Sequence, residues 1–112
     1  MTDQIAVAVG VAEELSRELD EDYVGLWVLP WLIRRDWPEV SDDVVRAISK
    51  SILRALTSID VVLGDVDGDT GQFLPWDCDD PVEAAMDMWV QLRHDPRLGE
   101  IAWLVRVERP HP

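Results

Sequence analysis

The chain has 112 residues, 47% of them apolar, and carries 23 acidic against 10 basic side chains for a net charge of −13. Such a length and apolar content fit one domain with its own core and exclude a disordered chain. The lone Cys78 excludes an internal disulfide, and charge of this sign repels nucleic acid and anionic membranes while drawing basic partners inward.

Ile5, Ala8, Val9, Ala12, Leu15 and Leu19 recur at three- and four-residue steps and predict an amphipathic first helix. Its apolar run, Ile5–Ala12, has no basic flank of the secretory kind. A bilayer span needs about 20 apolar residues, so this run is too short to cross one. A soluble, cytoplasmic protein is expected. In DEDYVGLWVLPWLIRRDWP, Tyr23, Trp27 and Trp31 fall four apart, as do Val24, Val28 and Leu32, and the segment ends at Trp37-Pro38. A second helical segment follows, with Pro30 expected to kink it or divide it in two, since proline cannot donate to the carbonyl four residues back.

Ser41, with Asp42 and Asp43 behind it, reads as the cap of a third helix. Its predicted buried stripe is Val45, Ile48, Ile52, Ala55 and Ile59, and Arg46, Lys50 and Arg54 line another face. Ile59–Leu63 and Gln72–Trp76 read as two strands of a hairpin around GDVDGDTG, whose residues favour turns. Asp80-Pro81-Val82-Glu83 is a strong helix start, with an acidic cap, proline at the first position and Glu three after the cap. Val82, Ala85, Met86, Trp89 and Leu92 form its apolar face, and Pro96 ends it near Asp95. Gly99 turns the chain into a last strand over Glu100–Glu108. The expected fold is one α+β domain over residues 1–112. Three to four helices pack on a small antiparallel sheet, made of the hairpin and the C-terminal strand and compatible with a winged-helix-like order.

The negative charge is uneven. Residues 55–92 hold nine acids and no base, and residues 1–22 hold seven acids and one base. Within the first of these segments, Asp65, Asp67 and Asp69 alternate as in a calcium loop. Counted from Asp65, however, position 6 is Thr70 and position 12 is Trp76, where glycine and a bidentate acid are required. A solvated turn is therefore the better reading, and no metal or cofactor is expected. Cys78 sits among anions in WDCDD, which disfavour a reactive thiolate. His94 and His111 compose neither a zinc site nor a triad, and no nucleophile elbow or phosphate loop is present, so an enzyme is not expected.

Six tryptophans are the other distinctive feature. Trp89 and Trp103 fit the core by periodicity, whereas Trp37 and Trp76 are the candidates for exposure. The segments YVGLW, LPWLIRRDWP, QFLPWD and LGEIAWL, with nine arginines against one lysine, resemble small acidic bacterial proteins of the toxin-immunity type. That resemblance implies a non-enzymatic inhibitor of a basic protein, possibilities for which include a toxin, and carries over no functional residue. The residues themselves place partner binding on Asp65, Asp67, Asp69, Trp76, Asp77, Asp79 and Asp80, with carboxylates steering the encounter and Trp76 as anchor. The alternatives are a winged-helix-like regulator reading nucleic acid through Arg46, Lys50 and Arg54, and a structural adaptor subunit.

Overall fold

A computed structural model describes residues 3–107. The chain runs α1 (Gln4–Leu19), β1 (Val24–Gly25), α2 (Val28–Asp36), α3 (Asp42–Thr57), β2 (Val61–Val66), β3 (Phe73–Pro75), α4 (Pro81–Leu92) and β4 (Trp103–Arg106). The strands form one antiparallel sheet in the order β1-β4-β2-β3, so the last strand fills the place between the first and the hairpin. The α+β class, with helices on a small antiparallel sheet, is as expected. The His111 tail and the Glu108 end of the expected last strand lie outside the described residues.

The helix caps follow local chemistry. Asp3 accepts from the Ile5 amide at 3.0 Å, Ser41 from Val44 at 3.3 Å and Asp80 from Glu83 at 3.1 Å, each satisfying an amide that has no partner within its helix. In α1 the buried row is Val7, Val11, Leu15 and Leu19, while Ile5 and Val9 stand exposed, contrary to the expected stripe. Valine and alanine populate both faces of that segment, so only packing against α2 and α3 could select one. In α3, Val45, Ile48 and Ile52 are buried as expected, but Ser49, Leu53 and Leu56 complete the row. Ala55 faces solvent, and Ile59 falls beyond the end of the helix.

Residues 20–37 hold the largest correction. Tyr23 precedes a two-residue strand, in which Val24 pairs with Leu104 and Gly25 with Trp103. The helix then starts at Val28, which places Pro30 in its first turn. There the missing N–H has no intrahelical acceptor to lose, so neither a break nor a second helix is needed.

The sheet explains two glycines. Trp103 on β4 pairs with Gly25 on one side and Gly64 on the other. A Cβ on Gly25 would lie 1.5 Å from the Trp27 ring, and one on Gly64 would lie 2.7 Å from the Phe73 ring. Gly25 therefore makes room for an aromatic ring laid over the strand, and Gly64 for the Leu74 carbonyl, 2.4 Å from such a Cβ, as well as for the Phe73 ring. Trp27 meets Trp103 edge-on at 4.9 Å, and Phe73 reaches Tyr23 at 5.9 Å. On the helical side, Val24, Val61, Leu63 and Leu104 join the helix residues in one core, with Trp89 only 1% exposed.

Arg106 fastens the sheet to α1. Its guanidinium donates to both Asp60 oxygens at 2.9 and 2.8 Å, to the Ser16 carbonyl at 2.9 Å and to Ser16 Oγ at 2.7 Å. Asp20 completes the cluster, 3.0 Å from Nε.

Candidate functional site: an acid-rimmed aromatic concavity

The β2–β3 hairpin positions the central residues. Asp65 pairs with Leu74, and the Trp76 amide donates to the Leu63 carbonyl at 3.1 Å, which carries the ladder one residue past β3. This sets Trp76 half-buried against the core, and the chain then turns through Asp77 and Cys78 toward the cap of α4. Asp65, Trp76, Asp77 and Cys78 line a concavity of about 340 Å³. Ala84 and Met88, one turn apart on α4, close it. Met88 is 44% exposed. Among the described residues, neither Asp65 nor Asp77 is paired with a cation.

The other predicted acids have different positions. Asp67 shapes the turn. Its Oδ1 accepts from the Asp69 amide at 2.8 Å and the Thr70 amide at 3.0 Å, while its own carbonyl takes the Gly71 amide at 2.8 Å. Gly71 meets this closure with φ 71°, a left-handed conformation that favours glycine. The Thr70 amide first, and the Asp69 amide next, hold the Asp67 carboxyl below its ordinary value. Asp69 stands exposed in the turn. Among the described residues no three His, Cys, Asp or Glu side chains gather as a metal site. The alternating aspartates thus build a turn whose central carboxylate serves its own backbone.

Asp80 is bound internally. Arg54 reaches its two oxygens at 2.8 and 2.9 Å, and this pairing, followed by the Glu83 amide, holds the carboxyl below its ordinary value. Glu83 also takes Lys50 at 2.9 Å, and Arg46 pairs with Asp43. Each of the three cations proposed for nucleic acid on α3 therefore has a carboxylate partner. Two of them face α4. Asp79 lies exposed beside a separate concavity of about 380 Å³ that includes Arg54 and Val61–Leu63. The structure brings Asp65, Trp76 and Asp77 together, gives Asp67 and Asp80 internal duties and leaves Asp69 and Asp79 on the periphery.

Two features escaped sequence reasoning. Met88 belongs to the concavity although it precedes the buried Trp89, and the apolar run it shares gave no sign of its direction. Trp31 is the exposed tryptophan at 62%, whereas Trp37 and Trp76 pack partly against the core and Trp103 is only partly buried. Trp31 shares a concavity of about 540 Å³ with Trp27, Pro30, Arg34, Arg35, Asp95 and Pro96, and the Arg35 guanidinium lies 5.7 Å from its ring. Comparison with protein-family models, with curated proteins and with solved structures found no match.

Proposed function

We propose that the chain is a non-catalytic binding protein that docks on a basic protein, as an immunity or antitoxin protein docks on a toxin. The observation that carries this reading is the convergence of Asp65 and Asp77 on Trp76, with both carboxylates free of internal cations among the described residues. The excess negative charge steers a basic surface inward, and Asp65 and Asp77 then meet its cations around an indole already held by the core. Trp76 and Met88 supply the apolar contact that an electrostatic encounter lacks.

The test is capture of a basic protein from source lysate by the tagged chain, followed by association kinetics with the purified partner. Asp65→Asn with Asp77→Asn is expected to slow association about tenfold at low salt and to flatten its salt dependence. Trp76→Ala is expected to speed dissociation. An unchanged association rate and salt slope in the double variant would refute this site.

The Trp31 groove supports a second reading, an adaptor subunit in a stable assembly. Its arginines are already paired, Arg34 with Asp95 and Asp42, and Arg35 with Glu14 and Asp36. What it offers a partner is apolar surface. A partner retained in high salt and lost on Trp31→Ala distinguishes this reading from the steered one.

A further inference from the structure

The last turn of α2, the first turns of α3 and the end of α4 enclose a separate pocket of about 370 Å³. Arg34, Asp42, Arg46, Trp89, Val90, Arg93, His94 and Asp95 line it, so that in a chain of net charge −13 three of nine arginines meet in one place. Both lining carboxylates are occupied: Arg34 donates to Asp95 at 2.6 Å and to Asp42 at 2.8 Å. Arg46 engages Asp43 through Nη2 alone, which leaves its other N–H groups. Arg93 has no carboxylate partner among the described residues.

Two aromatic side chains complete the wall. His94 Nδ1 lies 2.7 Å from the Asp95 carbonyl, which can only accept, so Nδ1 carries the proton and Nε2 remains open. Trp89, only 1% exposed, forms part of the pocket wall.

The backbone at Arg93 is the independent observation. It ends α4 with φ 62° and ψ 15°, the left-handed conformation in which glycine is the usual residue. Arginine gains nothing there from local geometry, and strain of this kind gathers where a side chain has a task. We propose that this pocket binds a small oxyanion of the phosphate class, held by Arg46 and Arg93. Arg34 acts as a positioning residue by pairing with Asp42 and Asp95, the two carboxylates of the pocket wall. The pocket is distinct from the Trp76 concavity, and the proposal does not depend on the docking reading.

Inorganic phosphate is the probe, titrated at constant ionic strength while the side-chain N–H resonances are followed by NMR. A saturable shift of the Trp89 indole resonance, identified with Trp89→Phe, is expected with phosphate and not with chloride. Arg93→Gly deletes the guanidinium at a position where glycine suits the backbone. It is expected to weaken phosphate at least tenfold while the urea midpoint stays the same or rises. Shifts that fail to saturate, that chloride reproduces, or that survive unchanged in Arg93→Gly would overturn the proposal. Should Arg93→Gly unfold, Arg46→Gln is judged by the same loss of affinity.

Discussion

Ser49, buried, and Arg106, partly buried, show how differently two polar groups serve this fold. Ser49 is fully buried on α3, and its Oγ has no partner. Removing an unsatisfied hydroxyl costs no hydrogen bond, so Ser49→Ala is expected to leave the urea midpoint unchanged or to raise stability by about 1 kcal/mol. Arg106, by contrast, holds four acceptor atoms on Ser16 and Asp60. Arg106→Met leaves Asp60, whose side chain is only 19% exposed, without its cation. A loss of about 2–3 kcal/mol is expected, read from urea unfolding with an unchanged m-value. Neither role was readable beforehand. Ser49 sits on the buried side of α3 beside Ile48, and Arg106 looked like any cation in a terminal strand.

At the scale of elements, the glycine–aromatic row governs β1. Two residues make a strand too short for any periodicity to announce, and Gly25 allows it to lie under Trp27. Gly25→Ala is expected to destabilise the fold by about 2–3 kcal/mol through overpacking, while Gly68→Ala, with open space around it, serves as the control. The start of α4 carries a pH signature. The Asp80 carboxyl lies below its ordinary value of 3.8 when folded, chiefly through Arg54. Its contribution is therefore complete above that value and is lost as pH falls through the lowered one. Asp80→Asn keeps a capping side chain but drops the charge. The stability gap between this variant and the parent should thus be present at pH 7 and close in acid, which unfolding curves at successive pH values can check. The capping signals at Ser41 and Asp80 were plain in the sequence because a cap is a contact across three residues. Pro30 was misjudged because a proline inside a helix and one in its first turn look alike until the helix start is known.

For the molecule as a whole, net charge sets two opposite responses to salt. The compact state concentrates an excess of 13 negative charges, so screening relieves self-repulsion. Raising sodium chloride from about 20 to about 200 mM is expected to increase the thermal midpoint while weakening capture of a basic partner. A rise in both, or a fall in both, would separate the charge from one of these roles. The placement of that charge is also a property of the whole fold. Asp65 and Asp77 are 12 positions apart on different elements, and their meeting around Trp76 depends on the hairpin register.

Composition, helix periodicity, the caps and the turn-rich hairpin were sufficient to establish an acidic α+β domain, because each rests on contacts within a few residues. Tertiary structure decided that β4 lies between β1 and β2, that Val7 and Val11 rather than Ile5 and Val9 face inward, and that Trp31 stands outside. It also decided which carboxylates are free, since Asp80 is claimed by Arg54 across 26 positions while Asp65 and Asp77 meet no cation among the described residues. The physical reason is the same throughout. A side chain's tendency to be buried or paired is local, but the surface or counter-charge that satisfies it comes from distant chain and exists only once the fold has formed.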